Sequence, residues 1–243
     1  MTIVVGFCCD AGLVIASDSQ ISAGATRRWG QKVWAVPALG FTFGLAGAES
    51  TMQLLQDYLL NATFDSTDVN LVRLKITEAV SAVLKPEYDR VASLIAGTTA
   101  SNLPLGEALV GIYVGGRPHL FELAANGLVT DHHVRNFAAI GAGKPFAEHA
   151  ATIFRDLPAG MTLHQAKMLA FRMVQDAIEA AGPNIPVGGP VQMASVSPGP
   201  PPTPVLLQPD DPALKDAVDG WMAAEAMRFQ EHLPPGEEPP PPS

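Results

Sequence analysis

Thr2 is the residue of this sequence whose type and position could support covalent catalysis. A threonine hydroxyl is a weak nucleophile and needs an adjacent base. A free α-amine has a pKa of about 7.7–8.0, so it can accept a proton near neutral pH. If Met1 is removed, Thr2 carries both groups, whereas retention of Met1 turns the amine into an amide and removes the base. Thr2 therefore predicts acyl transfer, and the alternative is that it only begins a β-strand.

Other residues with catalytic or metal-binding potential form no comparable pattern. Cys8 and Cys9 are neighbours that point to opposite faces of a strand, so a bridge between them would be strained. We expect two reduced, buried thiols. His132 and His133 are adjacent on a predicted turn, where we expect them to face solvent. No HExxH, CxxC, GxGxxG or Walker sequence occurs, so the sequence predicts neither a metal nor a cofactor.

The composition is that of an ordinary globular chain, with 243 residues of which 47% are hydrophobic and 16% charged. The net charge of −9 argues against a nucleic-acid partner. Apolar runs end well before the ~20 residues that a membrane helix needs. The amino terminus also lacks the basic start of a signal peptide. We expect a cytoplasmic protein with no membrane contact.

The elements that must position Thr2 follow from hydrophobic periodicity. Apolar and β-branched runs predict strands over 2–8, 13–18, 32–36, 41–46, 108–114, 119–123, 128–130, 137–140 and 191–196. Helical spacing predicts helices over 49–60, about 69–95, 144–157 and 162–181. The small polar stretch 22–30 is expected to be a loop, and Pro86 is expected to kink or divide the second helix.

The composition changes after Ser197, since 13 of the 22 prolines lie from Pro198 onward. We therefore expect a core domain over 1–197 and a Pro-rich C-terminal extension over 198–243. Within the extension, an apolar stripe predicts an amphipathic helix over about 211–233 that packs on its own domain or on a neighbour. The last ten residues are expected to be a disordered tail.

The order of elements is paired strands, two helices, paired strands, two helices and a strand. Strands joined by hairpins form antiparallel sheets, and helices that arrive in pairs can cover the outer faces of two stacked sheets. The sequence thus predicts an α+β fold, a four-layer α/β/β/α sandwich. This order is unlike the βαβ repeats of nucleotide-binding folds.

The opening segment resembles proteasome β-subunits, a family of N-terminal-nucleophile (Ntn) hydrolases. The residues that carry the resemblance are the following, in chain order: Thr2 to Gly6, Asp10 to Ser19, Lys32, Ala46-Gly47, Gly141-Ala142-Gly143 and Gly188-Gly189. The likeness spans roughly 2–197. Within the family, the lack of a propeptide resembles the bacterial HslV-type and Anbu-type subunits, and the C-terminal extension favours the Anbu type.

The resemblance implies roles for individual residues. Thr2 would be the nucleophile, Lys32 would lower the pKa of its hydroxyl, and Asp18 would hold Lys32. The Gly47 N–H would face the developing oxyanion. Three further residues would line an apolar substrate pocket, namely Ile21, Trp34 and Leu45. Simpler interpretations remain open, since Asp18 and Lys32 could form a surface ion pair and Gly47 could only begin a helix.

Supporting positions are implied at Ser19, Ala142 and Asn184. The family often has Ser where this chain has Ala142, and Asp and Ser where it has Asn184 and Val187. These departures remove hydrogen-bonding groups around the Thr2 amine, so activity could be weak or absent.

The sequence therefore leaves two main functional hypotheses. The first is a threonine-type peptidase that acts on peptides or unfolded proteins inside a homo-oligomeric ring or ring-like assembly, with an unspecified ATPase partner. The second is a non-catalytic assembly or binding subunit on the same scaffold. A third is another amide hydrolase or ligase, because a fold does not fix a reaction.

Overall fold

A computed structural model of the protein describes residues 2–23, 26–64, 67–94, 106–124, 127–153, 160–181 and 187–231. The strands are β1 (Val4–Cys9), β2 (Gly12–Ser17), β3 (Gln20–Ala23), β4 (Thr26–Trp29), β5 (Val33–Val36), β6 (Phe41–Ala46), β7 (Glu107–Val114), β8 (Arg117–Leu123), β9 (Val129–Asp131), β10 (Phe137–Ile140), β11 (Gln192–Ser197) and β12 (Thr203–Leu206). The helices are α1 (Glu49–Asn61), α2 (Val69–Leu94), α3 (Lys144–Ile153), α4 (Leu163–Ala181) and α5 (Pro212–Glu231).

Two antiparallel five-stranded sheets form the centre of the molecule. The first sheet has the order β10-β1-β2-β11-β12, and the second has the order β5-β6-β7-β8-β9. Strands β3 and β4 form a separate hairpin. Helices α1 and α2 cover the second sheet, while α3, α4 and α5 cover the first. The predicted four-layer α/β/β/α arrangement is thereby confirmed.

The strands are continuous apolar runs in the sequence because both faces of each central strand are covered. On β1, Val4 and Cys8 belong to the cluster between the two sheets, whereas Val5 and Phe7 face the helices. Because both faces of the strand are covered, every residue of β1 is buried. Cys8 and Cys9 are free, buried thiols, as the sequence predicted.

The helices pack through the stripes that their periodicity indicated. Leu55 and Leu59 of α1 and Val72 and Ile76 of α2 pack in the core cluster of the second sheet. Helix α2 continues through Pro86 as one helix, so the expected division is wrong. Pro86 lies on the exposed side of the helix. There the ring and the missing N–H cost one backbone hydrogen bond without disturbing the buried stripe.

Three strands, β3, β4 and β12, were not predicted. Residues 22–30, expected to be a loop, contribute to the hairpin β3–β4, whose second strand is exposed throughout and so carries no alternating apolar pattern. Strand β12 pairs with β11 at the edge of the first sheet, where a proline such as Pro204 is tolerated. Proline content thus masked an edge strand.

The C-terminal segment is continuous with the core. Strand β12 completes the first sheet, and Leu214 and Val218 of α5 are buried in the cluster that also contains α4. The amphipathic helix spans Pro212–Glu231 and packs on its own domain. The expected tail, 234–243, lies outside the described residues. In the part of the chain that the structure describes, no helix has the length and apolar character needed to cross a membrane.

Candidate active site

Three of the four residues implied as catalytic are in direct contact. Lys32 Nζ donates hydrogen bonds to Thr2 Oγ1 at 2.8 Å and to Asp18 Oδ1 at 2.9 Å. The relative exposure of Thr2 is 4%, and that of Asp18 and of Lys32 is 0%. The Asp18–Lys32 pair is therefore buried at the end of the sandwich, and the alternative of a surface ion pair is wrong.

The backbone around Asp18 satisfies its carboxylate completely. Oδ1 also accepts a hydrogen bond from the Ile3 N–H at 3.0 Å. Oδ2 accepts from the N–H groups of Gln20 at 3.2 Å and Gly188 at 3.1 Å. A buried charge is tolerated only when it is paired and hydrogen-bonded, and both conditions are met here. Asp18 therefore joins β1, the entry to β3 and the loop before β11.

Lys32 meets opposing electrostatic influences. Burial lowers the pKa of its ammonium group, while the charge and hydrogen bond of Asp18 raise it, and the net result is a pKa below the ordinary lysine value. Lys32 lies immediately before β5, and its carbonyl accepts a hydrogen bond from the Leu45 N–H at 2.9 Å. The lysine backbone is thereby attached to the second sheet, while its side chain reaches into the first.

A glycine turn fixes the main chain of Thr2. The Gly143 N–H donates to the Thr2 carbonyl at 3.1 Å. Gly141 has a φ of +83°, and a Cβ at that position would lie 2.2 Å from the Thr2 carbonyl oxygen and 3.2 Å from the Ala46 Cβ. Only glycine fits at 141, for both conformational and steric reasons. Ala142 lies between the two glycines and is exposed.

Gly47 follows the last residue of β6 and lies two residues before α1. Its φ of +119° is in the region that favours glycine, and the residue is exposed. Ala46, its neighbour, borders the Gly141 turn and therefore the Thr2 carbonyl. The start of a helix leaves N–H groups directed outward, which suits a site for negative charge.

The remaining implied residues are placed less centrally. Ser19 is fully buried, and its hydroxyl has no hydrogen-bond partner among the described residues. Val187 is buried in the cluster beneath α4. Asn184 lies outside the described residues.

The three implied pocket residues divide between two places. Ile21 lies on the hairpin β3–β4, where its side chain occupies the space beside Gly30. Trp34 and Leu45 share the α1-facing side of the second sheet; Trp34 stacks on Phe43 with ring centroids 5.0 Å apart. Leu45 is fully buried there, so its side chain is closed to solvent in this structure.

Two polar residues near these contacts were missed from the sequence. Glu107 Oε2 accepts a hydrogen bond from the Gly141 N–H at 2.8 Å. The Gln192 side chain binds the segment that leads to Lys32. Each is the first residue of a strand, and nothing local distinguishes it from an ordinary polar strand end, so only the three-dimensional pairing identifies it.

A second group of charged side chains lies on the far side of the same turn. Glu122 accepts a hydrogen bond from Lys144 Nζ at 2.9 Å, and its other oxygen lies 2.9 Å from His132 Nε2. Burial raises the pKa of Glu122, but these two hydrogen bonds outweigh it and leave the pKa below its usual value. The His132 side chain is only 14% exposed, so the expectation that it faces solvent is wrong.

These charges border a cavity of about 560 Å³ between β10 and α3, lined by Glu122, His132, Lys144 and Glu148 among others. Beside them, Asp131 Oδ2 lies 3.0 Å from His119 Nδ1. Within the described ranges, no set of three or more His, Cys, Asp or Glu side chains has an arrangement that could hold a metal ion.

Comparisons with known proteins agree with this architecture. The chain matches the family described as proteasome subunit over residues 2–188. No curated protein matches it. Similar solved structures include an Anbu Gly-1 mutant from Hyphomicrobium sp. strain MC1, with 19% identity, a TM-score of 0.68, and coverage of 98% of this chain and 100% of that one.

Two further structures are an Anbu complex in helical assembly from Pseudomonas aeruginosa and Anbu, an ancestral β-subunit, from Yersinia bercovieri. The first has 23% identity and a TM-score of 0.68, with 98% of both chains covered. The second has 20% identity and a TM-score of 0.68, with 98% of this chain and 100% of that one covered. At these identities the likeness shows the fold. Because the family match covers more than half of the sequence, the chain belongs to the proteasome subunit family.

Proposed function

We propose that this chain is an N-terminal threonine peptidase that cleaves amide bonds through an acyl-enzyme on Thr2. The observation that carries the proposal is the 2.8 Å hydrogen bond from Lys32 Nζ to Thr2 Oγ1 at a buried position. An ammonium group in contact with a hydroxyl stabilises the alkoxide, and the effect is strongest where water is excluded. Family membership supports the same chemistry.

The reaction requires Thr2 to be the first residue of the mature chain. Its α-amine accepts the proton from Oγ1 as the oxygen attacks the substrate carbonyl carbon. The resulting tetrahedral intermediate collapses when its C–N bond breaks, and the leaving amine of the substrate takes the proton from the α-amine of Thr2. Water, deprotonated by the same α-amine, then attacks the carbonyl carbon of the ester. The bond between that carbon and Oγ1 breaks, Oγ1 takes the proton back from the α-amine, and the acid product leaves.

Two groups are proposed to stabilise charge in this cycle. Lys32 stays protonated and faces the developing alkoxide, while Asp18 holds the lysine in place through its own four hydrogen bonds. The Gly47 N–H is proposed to donate to the oxyanion of the substrate carbonyl. One such donor is typically worth about 3–4 kcal/mol in the transition state.

The substrate is proposed to be a peptide or unfolded protein with an apolar side chain next to the scissile bond. Trp34 and Leu45 support this because they lie in one apolar cluster on the α1-facing side of the second sheet. Ile21 would extend it from the hairpin β3–β4. Because Leu45 is buried, substrate entry on this side requires the side chains around it to move.

A homo-oligomer is proposed for the working enzyme, in the cytoplasm. The Pseudomonas relative forms a helical assembly, and the resemblance to proteasome subunits implies sites that face an enclosed space. An ATPase partner is left unassigned. Assembly would restrict access to Thr2 to chains that can thread to it, which fits unfolded rather than folded substrates.

Intact mass and peptide hydrolysis test the proposal together. The purified wild type should lack Met1 and should hydrolyse fluorogenic peptides with an apolar residue before the reporter. Thr2→Ala should abolish hydrolysis, and Thr2→Ser should retain part of it because the hydroxyl and the amine persist. Thr77→Ala, on the outer helix α2, is the matched control and should equal the wild type.

Quantitative retention of Met1, or hydrolysis that survives Thr2→Ala, would contradict the proposal. The first result would favour the non-catalytic subunit, which keeps the sandwich without a usable base. The apolar side chains of Ala142 and Val187 are the features consistent with that alternative.

A further inference from the structure

The backbone that carries Lys32 is held by a side chain from the opposite sheet. Gln192 Oε1 accepts a hydrogen bond from the Lys32 N–H at 2.8 Å. Gln192 Nε2 donates to the Gly30 carbonyl, also at 2.8 Å. The amide thus bonds one donor and one acceptor on the same short segment, as a neighbouring strand would do.

We propose that Gln192 is a positioning residue that fixes the origin of the Lys32 side chain relative to Thr2. The inference rests on the proposed function of Thr2, which it deepens. Among the described residues, the Gln192 side chain forms its hydrogen bonds with the backbone of Lys32 and Gly30 and not with Thr2 or the Lys32 ammonium, so it acts through the backbone of Lys32.

Strand geometry explains why Gln192 can reach this segment. It is the first residue of β11 and pairs with Ser17 on β2, one residue from Asp18. Met193 faces the helices, whereas Ala194 and Val196 face the second sheet. By alternation, the Gln192 side chain also points towards the second sheet, where the segment before β5 passes.

The Lys32 peptide needs such a partner. Lys32 lies outside β5, so the ladder of the second sheet leaves its N–H unpaired, and the residue itself is fully buried. A buried N–H without a partner is unfavourable, and the segment would shift to satisfy it. The Lys32 carbonyl is already fixed by the Leu45 N–H, so Gln192 completes the restraint on both sides of the residue.

The restraint matters because a lysine side chain has four rotatable bonds between its backbone and its ammonium group. Asp18 determines where the ammonium can bind, and Gln192 determines where the side chain starts. A small displacement of either end changes the distance from Nζ to Thr2 Oγ1, on which alkoxide stabilisation depends. Loss of Gln192 should therefore reduce the rate of acylation without changing substrate binding.

Two readouts test this in the full-length protein with Gln192→Leu, which keeps the size of the side chain but removes both hydrogen bonds. Hydrogen–deuterium exchange of the Lys32 amide needs no activity and should become about tenfold faster or more, the change that corresponds to one lost hydrogen bond. Acylation of Thr2 by a β-lactone probe should show a maximal rate about tenfold slower, with the half-saturating probe concentration unchanged within about twofold.

Two other variants provide the controls. Gln31→Leu removes a side-chain hydrogen bond to the Val33 carbonyl in the same segment and should change neither readout. Gln192→Glu can still accept the Lys32 N–H but, when ionised, cannot donate to Gly30. It should restore protection of the Lys32 amide, with acylation between that of the wild type and that of Gln192→Leu.

Unchanged exchange at Lys32 in Gln192→Leu, or a wild-type acylation rate in that variant, would overturn the proposal. Faster exchange in a protein whose wild type is never acylated would also overturn the catalytic role and would refute the proposed function itself. An equal loss of acylation in Gln31→Leu would show that Gln192 has no specific positioning role, and it would also overturn the proposal.

Discussion

Lys32 and Lys144 each form an ion pair with a carboxylate at 2.9 Å, yet their surroundings differ. The Lys32 side chain is 1% exposed and also contacts the Thr2 hydroxyl, whereas the Lys144 side chain is 36% exposed beside an open cavity. Burial lowers the pKa of Lys32, while the pair with Lys144 helps to lower the pKa of Glu122. At Lys32 burial therefore outweighs the ion pair and lowers the pKa of the ammonium group, whereas at Glu122 the hydrogen bonds and charges of His132 and Lys144 outweigh burial and lower the pKa of the carboxyl group.

The distance between a lysine nitrogen and its carboxylate partner therefore does not by itself identify a reactive lysine. Asp18 is held by three backbone N–H groups, so it cannot follow a lysine that moves away. The Lys32 ammonium consequently has two defined partners, one of which is the proposed nucleophile. The two regions, one around Lys32 and the other around Lys144, meet at the glycine turn 141–143. There the Lys144 N–H donates to the Gly141 carbonyl, and the Gly143 N–H donates to the Thr2 carbonyl.

Asp18→Asn should produce the largest effect, because it leaves the buried Lys32 without a counter-charge. We expect the free energy of unfolding to fall by about 3–5 kcal/mol. Acylation of Thr2 should fall at least about 100-fold, since a neutral or displaced lysine no longer stabilises the alkoxide. Urea unfolding and probe kinetics measure the two effects. A stable and fully reactive Asp18→Asn protein would remove the distinction between the two lysines.

Gly141→Ala tests the turn that joins the two regions. The added methyl group would clash with the Thr2 carbonyl, and the positive φ is unfavourable for alanine. We expect a loss of about 1–3 kcal/mol in unfolding free energy. Slower acylation of Thr2 should accompany it. Ala142→Ser at the exposed neighbouring position is the control and should stay within about 0.5 kcal/mol of the wild type in urea unfolding. Equal behaviour of the two variants would refute a role for the turn in holding Thr2.

Glu122→Gln should weaken the interactions around Lys144 and leave those around Lys32 intact. Removal of the charge should lower the free energy of unfolding by about 1.5–3 kcal/mol at pH 7, the contribution typical of hydrogen bonds to a charged group. Because the pKa of folded Glu122 is lowered, its contribution is complete above the unfolded value and is lost as the pH falls through the folded value. The stability difference between wild type and Glu122→Gln should therefore shrink in acid, and a difference that grew in acid would contradict the assignment. Acylation should be nearly unchanged.

Lys85→Ala should give the smallest effect. The Lys85–Asp89 pair lies on α2 with side chains 70% and 58% exposed, at the same 2.9 Å distance as the two pairs above. Exposed pairs at this spacing contribute about 0.3–0.5 kcal/mol to the free energy of unfolding. The thermal unfolding temperatures of the wild type and of Lys85→Ala should differ little in both low and high salt. A loss comparable to that of Asp18→Asn would mean that burial does not decide the strength of these pairs.

The four-layer fold could be predicted because both sheets are covered on both faces, which leaves long apolar runs and clear helical stripes. The hairpin β3–β4 could not, since all four residues of β4 are exposed and carry no periodic signal. Strand β12 was hidden by prolines that an edge position tolerates. In both cases the missing information was the location of the strand in the sheet, which local sequence does not encode.

The contact between Thr2, Asp18 and Lys32 followed from the ordered set of family-like residues. Their burial did not, because an Asp and a Lys separated by 14 residues are more often a surface pair. Gln192 is 160 residues from Lys32, and the two meet only because β11 lies next to β2. Glu107 was missed for the same reason, since its partner Gly141 belongs to another sheet region.

The most direct test of the account is the site and rate of β-lactone acylation in the wild type, Lys32→Ala and Lys144→Ala, mapped by mass spectrometry of the intact chain and of its peptides. We predict one ester, on Thr2 Oγ1. Its rate should fall at least about 100-fold in Lys32→Ala, comparable to the loss of a major electrostatic group in an active site. In Lys144→Ala it should stay within about threefold of the wild type. An adduct on another residue, or equal rates in the wild type and Lys32→Ala, would contradict the claim that a buried lysine activates Thr2.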